Sequence, residues 1–202
     1  MTRNKRLVLW ASIILYALFT IILILGNGFS YDNISYTIRL TSKVSLVLFA
    51  IIFISSPLRK LWNSRVSRWL MRYRRELGIS FGMTFLTSHI GLIGLLFALN
   101  SNRIWDRIKI TDIVGGGLGL VLILVMLLTS FKQFSANLAP KTWQKIHLFG
   151  LIYVWGIFIF DQFEKYYLVT PPPAGPLFYF PFMAILIFAL GLRMISLTGR
   201  FR

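Results

Sequence analysis

The stretch RRELGISFGMTFLTSHIGLIGLLFAL, residues 74–99, decides the fold class of this chain. After the charged residues Arg74, Arg75 and Glu76 it continues for 23 residues, 77–99, without another charged side chain. About 20 apolar residues are enough for a helix to cross the hydrocarbon core of a bilayer. The stretch therefore predicts a membrane-spanning helix that starts beside a pair of arginines.

The composition of the whole chain agrees with this prediction. Of its 202 residues, 56% are hydrophobic and 14% are charged, whereas a soluble domain carries about 25% charged residues. This balance excludes a soluble globular domain. We expect an all-α integral membrane protein that forms one domain over residues 1–202.

Six apolar runs predict a bundle of six transmembrane helices. The first run follows a short basic segment but lacks a small-residue cleavage site, so we expect an uncleaved span. Each run is close to the length that a span needs. We place the spans near residues 7–27, 36–56, 77–99, 113–131, 143–163 and 177–197.

The one long connection, Pro57–Glu76, has a pattern of its own. Apolar side chains recur there at helical spacing, with Arg and Lys between them, which predicts an amphipathic helix in the inner interface between spans two and three. A solvated basic loop is the alternative. The apolar residues of the pattern are Leu58, Leu61, Trp62, Val66, Trp69, Leu70 and Tyr73.

The formal net charge of +16 indicates the orientation of the bundle rather than a nucleic-acid partner. Lys and Arg concentrate before span one, between spans two and three, and between spans four and five. Such an excess is typical of cytoplasmic loops that face anionic lipid. We expect a multi-pass protein of the cell inner (plasma) membrane, with both termini cytoplasmic, membrane lipid as a partner and no bound nucleic acid.

The two histidines, His89 and His147, are the candidate metal ligands. Each lies inside a predicted span, where an ionisable side chain is by default a functional-site hypothesis, and imidazole is a common metal ligand. The chain has no Cys, which excludes thiolate-bound iron–sulfur clusters and thioether-linked haem. Any haem would be a non-covalent b type. The alternative is a histidine that only hydrogen-bonds a neighbouring helix.

Two cations lie in the outer half of span two. Arg39 and Lys43 are four residues apart, so they share one face of an otherwise apolar helix. Two cations pointing the same way would suit the two propionates of a haem. The alternative is that both side chains extend to the membrane surface.

Several motifs in order resemble the ferric reductase-like transmembrane domain family. The resemblance covers roughly residues 35–165 and is nearest to the haem-binding membrane subunit of the periplasmic methionine sulfoxide reductase system. It implies b haem between spans three and five, and electron flow from an inner donor (quinol, flavin or reductase) to an outer acceptor. The motifs are Thr37-Ile-Arg39-Leu-Thr-Ser-Lys43, Ser56-Pro57-Leu58, Arg74-Arg75-Glu-Leu-Gly78, His89 and Trp143-Gln-Lys-Ile-His147.

The resemblance also assigns roles to residues. His89 resembles the outer haem ligand and His147 the inner one, and Arg39 and Lys43 would hold outer propionates. The basic pair at 74 and 75 would lie at an inner propionate, quinone or flavin (FMN) site. Family members commonly carry a second histidine where this chain has Phe160. Since His89 and His147 are also expected at different depths, we predict that they do not share one iron.

The sequence therefore favours a b-haem electron-transfer subunit, an oxidoreductase component that needs a separate soluble or membrane redox partner. The alternative is a haem-poor structural or assembly subunit of a larger membrane complex. A transporter is the third hypothesis, but no pair of broken helices supports it.

Overall fold

The computed structural model describes residues 3–105, 110, 112–136, 138–168 and 175–198. Across these residues the regular structure is entirely helical, which confirms the predicted all-α class. Short π-helical turns lie at Asp112–Gly116 and Glu164–Leu168, and a 3₁₀ turn lies at Pro176–Phe178. The α-helices are α1 (Arg3–Asn27), α2 (Tyr31–Leu61), α3 (Arg65–Trp105), α4 (Gly117–Thr129), α5 (Lys132–Ser135), α6 (Pro140–Phe163) and α7 (Phe180–Leu197).

Five of the described helical segments are long and apolar enough to cross a membrane, which makes the chain a multi-pass membrane protein. These segments are Arg3–Asn27, Tyr31–Leu61, Arg65–Leu99, Pro140–Leu168 and Phe180–Leu197. A further apolar helix, Ile113–Thr129, is shorter. At 1.5 Å per residue it is about 26 Å long, against about 30 Å of hydrocarbon in a typical bilayer.

The prediction of a separate amphipathic helix between spans two and three is wrong. Helix α2 continues past Pro57 to Leu61, and α3 begins at Arg65, so the predicted segment forms the ends of two long helices. Reciprocal capping explains the restart: the Ser67 amide donates to Ser64 Oγ at 3.1 Å, and the Ser64 amide donates to Ser67 Oγ at 3.0 Å. This is the geometry of a capping box with serine in place of the usual Glu or Gln.

Hydroxyl side chains join the first three helices inside the bundle. Ser12 of α1 donates to Ser80 of α3 at 2.7 Å, and the Tyr16 hydroxyl lies 2.8 Å from that of Ser45 on α2. Interhelical hydrogen bonds of this kind give membrane helices a defined contact, since lipid competes for apolar surface but not for polar groups. Helix α1 is therefore fixed to the bundle although much of its surface is exposed.

The centre of the bundle is aromatic. Phe49 of α2 lies between Phe81 of α3 and Phe158 of α6, with ring centroids 5.7 and 5.4 Å away. Rings at these separations have favourable tilted contacts. Two of these rings, Phe49 and Phe81, line the cavity described next.

Candidate functional site

A cavity of about 830 Å³ opens at one end of the bundle, between α2, α3, α4, α6 and α7. Its volume lies within the range of about 300–1,000 Å³ typical of small-molecule sites. The deep part is apolar, and the basic and polar side chains include Arg74, Arg75, Gln144, His147 and Arg193. None of the residues that line it is acidic. An apolar interior with a cationic end suits an amphipathic anion.

His147 brings an imidazole to this cavity. Its Nε2 lies 3.1 Å from Thr129 Oγ1, and its ring lies tilted by 32° against Trp143 with centroids 4.1 Å apart. Trp143 is held in turn, because its Nε1 donates to the Thr129 carbonyl at 2.9 Å. Among the described residues, none forms a hydrogen bond with the Nδ1 of His147.

The arginines of the cavity differ in their partners. Arg75 donates from Nε and Nη2 to the Ser130 carbonyl, at 3.0 and 2.6 Å, and so closes the end of α4. Arg193 stacks its guanidinium over Phe53 at 4.6 Å, and its Nη1 is buried without a hydrogen-bond partner. Arg74 lies within electrostatic reach of both Arg193 and His147. The structure thus brings the predicted residues at 74, 75 and 147 together.

Sequence reasoning missed Arg193. The signal was present, since Arg193 is the one charged residue in the predicted span 177–197. A charge inside a span usually faces the bundle interior and marks a functional position. However, Arg193 lies close to the end of the span, where a long cationic side chain can extend to the membrane surface. A position of this kind does not by itself indicate a functional residue.

His89 lies in a different environment. It is 7% exposed, it does not line the cavity, and both ring nitrogens have partners in the chain. Nδ1 donates to the Phe85 carbonyl at 3.0 Å, and Nε2 lies 2.8 Å from Ser42 Oγ. Binding iron through Nε2 would require this serine hydroxyl to move. The geometry is that of a histidine joining two helices.

The other residues that were predicted for an outer haem site also lie away from the cavity. Lys43 is buried, its Nζ has no hydrogen-bond partner, and three rings surround it at 4.8–4.9 Å. Arg39 lies within electrostatic reach of Tyr179, one of those rings. Phe160, at the position where the family has its second histidine, is 54% exposed. The rings around Lys43 are those of Phe178, Tyr179 and Phe182.

The described residues do not offer an independent metal cluster. Among the residues that it describes, no three His, Cys, Asp or Glu side chains lie together in a way that could hold a metal ion. A haem does not need such a cluster, because the macrocycle supplies four ligands and the protein supplies the axial ones. Of the two histidines, His147 lines the cavity and could supply such an axial ligand.

Comparison with known proteins gives no match: no family model, no curated protein and no solved structure is similar to this chain. The likeness to the ferric reductase-like domain therefore remains a prediction from its motifs.

Proposed function

We propose that this protein is a b-haem membrane subunit that transfers electrons, with the haem in the arginine-lined cavity and His147 as its axial ligand. The observation that carries the proposal is the imidazole of His147, which faces a cavity with an apolar interior and a cationic end. Imidazole is the axial ligand in many haem proteins, and buried apolar walls tune the haem potential.

The residues around the cavity fit a flat macrocycle in two respects. A Cβ built on Gly78 of α3 meets nothing within 4 Å, so this wall leaves space beside Arg74. His147 and Arg74 are also near enough to interact electrostatically, which places a ligand nitrogen and a cation at the same end of the cavity. A b haem bound there supplies one-electron transfer, and the chain supplies the ligand, the cation and the exclusion of water.

The proposal includes six spans, with both termini and the cavity on the cytoplasmic side of the inner membrane. The basic segments predicted to be cytoplasmic include residues 59–75, and the cavity contains two of their arginines. An inner-side quinol, flavin or reductase would then be the electron donor. Donor and outer acceptor are separate partners.

A reduced-minus-oxidised absorption spectrum of the purified chain tests this function. We expect a b-type spectrum in the natural protein, a large loss of haem in His147→Ala and a smaller loss in His89→Ala. The reason is that His147 faces the cavity, whereas both nitrogens of His89 are already occupied. Full haem content in His147→Ala, with the loss confined to His89→Ala, would place the haem elsewhere and contradict the proposal.

Blocking the cavity gives an independent test that leaves the ligand in place. Gly78→Leu adds a side chain to the cavity wall, whereas Gly94→Leu makes the same change on the same helix outside the cavity. We expect the first variant to bind much less haem and the second to bind as the natural protein does. Equal haem content in the two variants would exclude this cavity.

A haem-poor structural or assembly subunit is the second candidate. Two observations favour it. Both nitrogens of His89 already have hydrogen-bond partners, and the exposed Phe160 stands where a second histidine would be needed, so the predicted outer haem position has no pair of free imidazoles. A natural protein that is folded and binds no haem after reconstitution would support this second function.

A further inference from the structure

Arg74 and Arg193 create an electrostatic imbalance at the cavity. Both guanidinium groups are half-buried, they repel each other, and neither forms an ion pair with the acidic side chains that the structure describes. Moving a charge out of water is costly unless a partner compensates it. Two such charges lining one cavity indicate that an anion completes the site.

Arg193 has a ring contact but lacks an acceptor for one of its buried nitrogens. Its guanidinium lies over the Phe53 ring at 4.6 Å, and the buried Nη1 has no acceptor among the described residues. A buried N–H group without an acceptor destabilises the folded chain, and a charged one does so more strongly. An oxyanion bound at this position would remove that destabilisation.

Arg75 lines the same cavity but differs from Arg74 and Arg193 because it has a hydrogen-bond acceptor. It gives two hydrogen bonds to the Ser130 carbonyl and thereby has a structural role. Arg74 and Arg193 have no such acceptor within the chain as described. The cavity therefore holds two arginines without partners, on α3 and α7, next to an apolar interior.

We propose that Arg74 and Arg193 form a two-guanidinium site that binds the paired anionic groups of an amphipathic ligand whose apolar body fills the cavity. The chemistry suits two carboxylates on one apolar body, as in a haem with its propionates, or the doubly charged headgroup of an acidic lipid. Guanidinium is well matched to both carboxylate and phosphate. The haem as ligand rests on the proposed function, whereas the acidic lipid as ligand does not.

The first experiment compares haem b with its dimethyl ester, in which both carboxylates are masked. We expect the purified natural protein to bind the free acid at least about tenfold more tightly, because the ester cannot form charge-assisted hydrogen bonds with the guanidinium groups. Arg193→Gln should reduce this preference to near one, Arg193→Lys should keep part of it, and the exposed Arg72→Gln, outside the cavity, should leave it unchanged. Equal binding of acid and ester by the natural protein would overturn the haem arm.

The second experiment separates the anion site from the haem. If neither haem nor its ester binds, the proposed function fails. In that case, and also if acid and ester bind equally, phosphatidic acid in mixed micelles becomes the probe. We then expect phosphatidic acid to raise the thermal stability of the natural protein above that in phosphatidylcholine alone, and this gain should vanish in Arg193→Gln but persist in Arg72→Gln. No gain in the natural protein, or the same gain in both variants, would overturn the site itself.

Discussion

Glu76 and Arg74 are two residues apart on α3, and their charges have different surroundings. Glu76 is 1% exposed and its Oε1 lies 3.1 Å from Lys5 Nζ, whereas Arg74 faces the cavity without an acid. The ammonium of Lys5 is only partly covered and can return to water if its partner is removed. The carboxylate of Glu76 cannot, so the two halves of this pair are not equivalent.

This asymmetry predicts the effect of breaking the ion pair. Lys5→Met leaves a buried carboxylate without its cation, and the loss of one partner from a buried pair costs about 3 kcal/mol. Glu76→Gln leaves a lysine that is free to hydrate, so its cost should be clearly smaller. Thermal unfolding in detergent measures both, and the double variant should recover most of the stability lost in Lys5→Met. A larger loss in Glu76→Gln than in Lys5→Met would contradict this account.

At the scale of elements, α4 and α6 pack closely at glycines. A Cβ built on Gly119 would lie 2.7 Å from Ile157 Cδ1, and one on Gly150 would lie 2.5 Å from Met126 Sδ. Small residues allow membrane helices to approach in this way. The contact places Thr129 of α4 against His147 of α6, so the helix packing sets the position of the candidate ligand.

Two glycine substitutions test this packing. We expect Gly150→Ala to lower thermal stability by about 1–3 kcal/mol, because the added methyl overpacks the contact with the buried Met126, three of whose side-chain atoms would lie 2.5–3.0 Å from it. The matched change Gly156→Ala on α6 has open space at its Cβ and should be neutral or slightly stabilising, since alanine favours helix over glycine. Equal effects of the two changes would mean that the close approach of α4 and α6 does not matter.

The sequence predicted the helices well and their ends poorly. Apolar runs identify spans because hydrocarbon demands apolar side chains, but caps depend on single residues such as Ser64 and Ser67. The amphipathic pattern after Pro57 was genuine, yet it does not distinguish a separate helix from the continuation of two others. Periodicity reports which face is apolar and not where a helix stops.

The candidate site was also predicted only in part. Arg74, Arg75 and His147 meet at one cavity, although they belong to segments distant in sequence. Arg193 and the separation of His89 from the cavity depend on how the helices pack, which one sequence does not contain. Whether His89 and His147 bind iron remains a prediction.

For the whole molecule, the contacts of α4 bear on the number of spans. Arg75, near the basic end of α3, donates to Ser130 just after α4, while Gly82 faces Leu127 earlier in α4. The two helices therefore run antiparallel, and α4 ends level with the arginines. Farther from the arginines, residues 86–91 of α3 and 120–124 of α4 line a second groove of about 490 Å³, so the two helices remain side by side there. This arrangement favours a sixth crossing by the short apolar helix.

The parity of the crossings gives the final prediction. If Ile113–Thr129 crosses the membrane with the five longer helical segments, both termini lie on the same side. If it does not, five crossings place them on opposite sides. The Lys and Arg distribution predicts the cytoplasm for both, so reporter fusions at residues 1 and 202 should both give a cytoplasmic signal, and one at residue 102 should give an outer signal. A cytoplasmic signal at residue 1 with an outer signal at 202 would mean that the short helix does not cross, and the six-span proposal would then be wrong.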